Sequence, residues 1–411
     1  MGGRHMLETS VIRSISAWAG GAPITSFYLD VDGRRSPRWP DVELRAGHLL
    51  RLARQRAHAR DQLGAGSAAS GASAEADLAG IERWLGHDLD RSKVRGVALF
   101  SCTAEGRFES LLLPEPVRDQ VVVDLEPDVA QLCLLSSASW RAIALGVDRE
   151  RWRMMRLEED GEEEEIDVVD DRLPHGIDVD IELAGFGHHD EELVREHYHR
   201  VARSLEEELR RRPEARVVLC GPQESLRELE AHLPERVRAQ VAGRAHLELD
   251  AAPAELARCA REVLEAADAD RRSAMVAELR GRVATGGGAV AGIDACLAVL
   301  GTAQAESLLV ERTFEMPGGR CEGCGLLVTA TAGACPRCGG HVRPVENVVD
   351  AAVGDAYLHD VTLVALPDGE LADLGRIGAL VAAWARTEVR TEGHTEGHAE
   401  GRTEGLEPSD A

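Results

Sequence analysis

Cys321-Glu-Gly-Cys324 and, ten residues further on, Cys335-Pro-Arg-Cys338 form two cysteine pairs, followed by Gly325 and by Gly339-Gly340. Two intervening residues let both thiolates of a pair turn toward one ion, and glycine permits the tight turn that follows. Four thiolates fill a tetrahedral shell and leave no position for water. The spacing therefore predicts a structural Zn2+ ribbon over 318–343, with Cys321, Cys324, Cys335 and Cys338 as ligands, and not a catalytic metal. His341 is surplus to the four ligands. The other five cysteines, Cys102, Cys133, Cys220, Cys259 and Cys296, stand singly in apolar or helical surroundings. They read as reduced core residues of a cytoplasmic protein.

A ribbon of this size must be carried by a larger fold. Upstream of it lie a glycine turn at Thr285–Gly288, a helix at Ala289–Leu300 and a strand at Ser307–Val310. Downstream, helical and strand patterns resume at Val345–Leu358 and Val361–Leu366, and order ends with Gly375–Val381. The helical pattern before this unit runs from Pro253 to Val283, a rigid connector with a domain boundary placed near 270. Further upstream come a hairpin at Arg141–Val147 and Trp152–Leu157, a return strand at Ile166–Val169, and a long helix at Asp190–Arg212. A buried strand at Val217–Cys220, a helix and a strand at Ala245–Leu249 complete a βαβ-type pattern. Before them, strands at 23–30, Val94–Ser101 and Phe108–Leu113 alternate with helices at Asp41–Leu63 and Ala74–Trp84. Gly64–Ser73 reads as a loop. The expected fold class is α/β, with domains at 7–126, 127–270 and 271–386 and a disordered acidic tail at 387–411. The opening residues Met1–Met6 are set aside from this reading.

The composition is that of a folded, acidic chain of 411 residues with a net charge of −25 and 44% hydrophobic residues. No run of 18 apolar residues is present to cross a membrane, and no signal peptide is visible. Charge is unevenly placed. Ten acids and no base lie between Glu158 and Asp171, and the tail repeats a Thr-Glu-Gly-His unit from Thr391. Eight arginines stand between Arg34 and Arg60 against Asp41 and Glu43, and Lys93 is the only lysine. Such a run is either a solvated helix face or a phosphate-binding patch, with Arg34, Arg35, Arg38 and Arg45 as the RNA-binding candidates. The Gly286–Gly288 turn lacks the Gly-Lys-Ser/Thr ending of a phosphate loop. No Gly-x-Ser-x-Gly elbow and no His-Glu-x-x-His motif is present.

The chain resembles the bacterial branch of the archaeal- and eukaryotic-type class 1 peptide chain release factors and their relative Pelota, a group that includes Balon-like ribosome hibernation factors. The resemblance is carried by Tyr28-Leu-Asp-Val-Asp32, Arg95-Gly-Val-Ala-Leu-Phe-Ser101, Pro116–Asp124 and Leu219-Cys-Gly-Pro-Gln-Glu224. It continues in Gly292-Ile-Asp-Ala-Cys-Leu297, Glu306-Ser-Leu-Leu-Val-Glu311, the paired Cys-x-x-Cys-Gly knuckles and Gly378-Ala-Leu380. It implies an N-terminal α/β domain facing the decoding centre, a ribonuclease H-like middle domain, and a C-terminal domain of the kink-turn-binding ribosomal-protein type. It further implies the ribosome as partner, through its RNA and the P-site tRNA, with a translational GTPase as a further candidate.

Two departures bear on activity. Catalytic members carry a Gly-Gly-Gln loop before the long middle helix, where backbone enters the peptidyl-transferase centre and a water is placed on the peptidyl ester. Here the corresponding stretch is Ala184-Gly185-Phe186-Gly187-His188-His189, and no glutamine occurs between Gln131 and Gln223. The Asn-Ile-Lys-Ser codon-reading motif is absent as well. The expected function is therefore an A-site factor of the hibernation or rescue type without stop-codon reading or efficient ester hydrolysis. The alternatives are a peptidyl-tRNA hydrolase using Gly185, Gly187, His188 and His189 as a divergent catalytic loop, and a non-ribosomal zinc-ribbon interaction protein.

Overall fold

A computed structural model describes residues 9–18, 21–62, 68–86, 94–138, 140–158, 163–170 and 186–382. The first part contains α1 (Thr9–Ser16), β1 (Ile24–Asp30), α2 (Trp39–Gln62), α3 (Ala68–Leu85), β2 (Gly96–Cys102), β3 (Arg107–Leu113) and β4 (Gln120–Asp124). The strands form an antiparallel sheet in the order β3-β2-β1-β4, with Tyr28 opposite Ala98 and Phe27 opposite Val121. All seven residues of β1 are buried. Such a strand is covered on both faces, which explains the lack of polar–apolar alternation, and its buried Thr25 and Ser26 hydroxyls are hydrogen-bonded to Asp77 and to the Asp128 N–H. On one face Phe27 and Leu29 pack with Val42 and Leu50 of α2 and Leu78 and Ile81 of α3. Asp77 pins α3 to the sheet by accepting hydrogen bonds from Thr25, Ser101 and the Thr103 backbone N–H.

The middle part contains α4 (Ala130–Ala138), β5 (Arg141–Val147), β6 (Arg151–Glu158), β7 (Glu163–Asp170), α5 (Phe186–Arg211), β8 (Arg216–Cys220), α6 (Gln223–His232), α7 (Glu235–Arg238), β9 (Val241–Ala245) and α8 (Pro253–Ala284). Its sheet runs β7-β6-β5-β8-β9, antiparallel from β7 to β5 and parallel from β5 to β9. The acidic run has a use here: it returns as the edge strand β7 beside the arginines of β6. Arg153 meets Glu165 at 2.9 Å, and Arg156 meets Glu164 at 2.6 Å. Two apolar clusters cover the two faces of this sheet and, among the described residues, draw only on residues between 140 and 264. Helix α8 spans 32 residues. Leu256, Ala257, Ala260 and Leu264 face the middle sheet, whereas Val276 and Leu279 belong to the core of the last unit.

That last unit contains β10 (Ala289–Ala291), α9 (Ile293–Gly301), β11 (Ala305–Glu311), β12 (Gly318–Cys321), β13 (Leu327–Val328), β14 (Val342–Val345), α10 (Val348–Leu358), β15 (Thr362–Leu366) and β16 (Ile377–Val381). The main sheet is ordered β10-β16-β11-β15, and a separate ribbon sheet, β13-β12-β14, is inserted between β11 and α10. The fold is thus mixed α/β with several sheets and an inserted four-cysteine ribbon.

Four local expectations change. The strand expected at Ala245–Leu249 lies earlier, at β9. Its Val-Ala-Gly-Arg-Ala sequence hides it, because Gly243 sits where a Cβ would clash with Val263 of α8, so close helix packing replaces side-chain bulk. Helix α3 begins at Ala68, inside the expected Gly64–Ser73 loop, in a stretch whose alanines favour helix. Strand β10 precedes α9 where a continuous helix was expected. Helix α1 and strand β4 were not anticipated. The expected tail, 387–411, lies outside the described residues.

The free face of the first sheet is not solvent-exposed. Ile12 and Ile15 of α1, Tyr28, Phe100, and Leu132 and Cys133 of α4 form one apolar cluster with Ile293 and Cys296 of α9, Leu308 of β11, and Val349 and Val353 of α10. A polar network is sealed into this joint. Arg118 reaches Asp350 at 2.9 Å, and the Gln120 amide donates to both Asp128 (3.1 Å) and Asp350 (3.2 Å). The Tyr28 hydroxyl donates to the Asp128 carbonyl at 2.6 Å. Burial, and then the charge of Asp350, pushes the Asp128 carboxyl up to about 8, and burial raises Asp350 as well despite Arg118.

An unfolded aspartate titrates near ~4. Between that value and about 8 the folded joint holds a proton that the unfolded chain has lost. Its contribution is fully present below the unfolded value and is lost as pH rises through the folded one. The thermal midpoint should therefore fall between pH 6 and pH 9, and Asp128→Asn should reduce that fall. An equal fall in the variant, measured by calorimetry in matched buffers, would remove Asp128 as its source.

Candidate metal centre and arginine-bearing loop

Each cysteine pair is built on the same backbone turn. The Gly325 N–H donates to the Cys321 carbonyl and the Gly339 N–H to the Cys335 carbonyl, both at 2.9 Å. Gly325 (φ 73°) and Gly339 (φ 72°) take the left-handed conformation that closes each turn. Returning bonds, Cys321 N–H to Leu326 and Cys335 N–H to Gly340, complete both knuckles. The sulfurs of Cys321 and Cys338 are 3.4 Å apart, those of Cys324 and Cys335 are 3.6 Å apart, and all four lie within 4.8 Å of one another. A tetrahedral thiolate shell around an ion at ~2.3 Å has sulfurs about 3.8 Å apart. The four sulfurs expected to converge therefore do converge, at a spacing that can hold a metal ion. Cys321 and Cys335 are buried, and Cys324 and Cys338 lie at the surface.

The electrostatics of the bare cluster fit a cation. Backbone N–H groups of Cys338 and Arg337 pull the Cys335 thiol down to about 6. At Cys338 the Gly340 N–H lowers the value, but the neighbouring Cys321 and Cys324 sulfurs outweigh it and push the thiol up to about 12. Several thiolates cannot ionise side by side without a positive charge among them. The ribbon's own core is small, with Cys321, Cys335 and Val342 buried and Leu326 and Val328 packed around them. A core of this size does not hold three short strands alone.

The second candidate site is the loop after β1. Asp30 accepts the Asp32 backbone N–H at 2.9 Å, and Asp32 accepts the Arg34 backbone N–H at 3.0 Å. The same Arg34 N–H, aided by Arg95 at 3.0 Å, holds the Asp32 carboxyl below its ordinary value despite burial. The two acids of Tyr28-Leu-Asp-Val-Asp32 thus brace a turn from which Arg34, Arg35 and Arg38 are exposed. The four arginines are not equivalent. Arg45 is turned inward, 2.7 Å from Asp119 and hydrogen-bonded to the Asp30 carbonyl and Ser36. Arg35 meets Asp30 at 3.3 Å. The partners Asp119 and Arg95 were not anticipated; the paired acids of the motif were the signal that this turn is constrained.

The glycine–histidine stretch is only partly in view. Gly185 lies outside the described residues. Helix α5 begins at Phe186, so Gly187, His188 and His189 fall in its first turn, and their side chains lie outside the described residues. Among the described residues no helix is long and apolar enough to cross a membrane.

With its several sheets and inserted four-cysteine ribbon, the chain is a mixed α/β protein. Residues 127–272 match the model of bacterial archaeo-eukaryotic release factor family 10. Solved structures similar to the chain include the archaeal translation termination factor aRF1, at 15% identity over 90% of this chain and 96% of that one, with a TM-score of 0.23. Pelota from Archaeoglobus fulgidus is 14% identical over 70% of this chain and 78% of its own, with a TM-score of 0.31. Dom34 from S. cerevisiae is 10% identical over 72% and 82%, with a TM-score of 0.37. Among curated proteins no sequence matches significantly.

The metal centre makes a direct prediction. Cys321→Ser or Cys335→Ser should abolish most of the bound metal, measured by elemental analysis, and open 318–343 to proteolysis. Purified protein without metal, unchanged in protease resistance after chelator treatment, would overturn the reading.

Proposed function

We propose that this chain is a ribosome-associated translation factor that occupies the A site as a hibernation- or rescue-type factor, without stop-codon reading and without efficient ester hydrolysis. The family match over residues 127–272 carries the reading, because it covers the unit that in catalytic members holds the Gly-Gly-Gln loop. Here that position has Gly185-Phe-Gly187 followed by His188 and His189, with no glutamine. An imidazole could act as a base near neutral pH, but Phe186 and two histidines add bulk where a small, free backbone and a water-orienting amide are needed. The reading also draws on the braced turn after β1. Arg34, Arg35 and Arg38 supply guanidinium forks for the phosphates of ribosomal RNA, and Arg45 positions the turn through Asp119 and Asp30. The ion in the four-thiolate centre is Zn2+ in a closed, structural role. The proposed partners are ribosomal RNA, P-site tRNA and a translational GTPase.

Two assays test this. Binding to purified ribosomes, followed by co-sedimentation, should weaken as salt rises, since phosphate contacts release counterions. Charge reversal at Arg34, Arg35 and Arg38 should weaken it further and flatten the salt dependence; binding unaltered by the reversal would return these residues to a solvated face. In the second assay, peptidyl-tRNA on ribosomes should remain uncleaved, and His188→Ala and His189→Ala should leave ribosome binding nearly intact. Robust release by the natural chain, lost in either variant, would establish a hydrolase instead.

A further inference from the structure

The ribbon meets the last unit through Leu327 in the main apolar cluster, Thr329 on Asp294 and Arg337 on the Gly301 carbonyl, and two of its arginines reach the first unit as well. Arg320 precedes the ligand Cys321 on β12, and Arg343 lies directly opposite it on β14. Both side chains are only 14% exposed. Arg343 contacts Asp124 at 2.6 Å, at the end of β4, and Glu126 at 3.3 Å. Arg320 contacts Glu126 at 3.1 Å and grips Asp355 of α10 with two nitrogens, at 2.9 and 3.0 Å. Two guanidiniums on adjacent ribbon strands therefore join three carboxylates, two of them from the first unit and one from the last. Each arginine sits beside residues that the four-cysteine centre fixes: Arg320 next to Cys321, and Arg343 next to Val342, which packs on Cys321 and Cys335.

We propose that metal loading of the ribbon is coupled to docking of the first unit on the last, with Arg320 and Arg343 as the clasp. The inference rests on the metal reading of the four cysteines. The ribbon strands are short and their core is small, so the ion fixes the β12–β14 pairing. That pairing sets the separation of the two guanidiniums. Without it, Asp124, Glu126 and Asp355 lose partners held in fixed geometry, and part-buried carboxylates without counter-charges oppose the docked arrangement. Among the described residues strand β4 is an edge strand, paired only with β1, so it depends on the clasp more than the interior strands do. Linkage makes the coupling reciprocal: docking in turn retains the metal.

Hydrogen exchange of the full chain reads this directly, with β8 of the middle sheet as an internal reference. Three samples are compared: the metal-loaded protein, the chelator-treated protein, and the metal-loaded double variant Asp124→Asn/Glu126→Gln. Chelation should speed exchange in β4 about tenfold as well as in 318–345, while β8 is unchanged. The double variant should speed β4 to a similar degree with its metal still bound. Acceleration confined to 318–345 on chelation, or a double variant with unaltered β4, would overturn the coupling. If the purified chain carries no metal, the metal reading and the coupling both fail. The double variant then separately reports whether the arginine clasp holds β4.

Discussion

The first sheet is covered on both faces by parts of the chain far apart in sequence. One face takes α2 and α3; the other takes α1, α4 and the α9–α10 side of the last unit. This two-sided burial is the constraint on which the rest depends. It buries every residue of β1, with the polar Thr25, Ser26 and Asp30 hydrogen-bonded, and it brings residue 28 within reach of residues 128 and 350. The middle sheet keeps its own two clusters, so it is carried on the α4–β5 connection and on α8 rather than absorbed into the joint.

Polar groups sealed into that joint tune it. Arg118, Gln120, Gln131, Asp128 and Asp350 satisfy one another where neither apolar packing nor water alone would. Arg118 pairs with Asp350 and Glu315, and burial raises both Asp128 and Asp350, Asp128 further through the charge of Asp350. The ribbon edge of the same joint is balanced differently, with two arginines set against three acids at the surface of the apolar cluster. Docking thus involves at one edge a hydrogen-bonded network in which Asp128 holds its proton to about 8, and at the other the two arginines of the proposed clasp.

For the proposed role on the ribosome, this division has a consequence. The exposed arginines of the β1 turn belong to the docked first and last units, while the glycine–histidine stretch belongs to the separately packed middle unit. The surface proposed to grip RNA and the surface proposed to face peptidyl-tRNA are therefore on bodies joined by a long helix, whose two halves serve different cores.

Some features were legible without coordinates because they are local. Two Cys-x-x-Cys-Gly units fix their own turns, since the spacing of the thiols and the φ of glycine need nothing from elsewhere. The hairpin of β5 and β6 was readable from alternation, and the length of α8 from its periodicity. The missing glutamine is likewise a property of the sequence alone. What the tertiary structure decided is non-local. Strand β9 was invisible because Gly243 is there for Val263 of α8 and not for its own strand. The four arginines between 34 and 45 looked alike until Asp119, seventy-four residues from Arg45, drew that side chain inward. Arg320 and Arg343 carried no signal, because their partners at Asp124, Glu126 and Asp355 come together only when the first and last units dock. Local backbone chemistry can be read from neighbouring residues, whereas the partner of a charge or the reason for a small residue depends on which distant segment the fold brings against it.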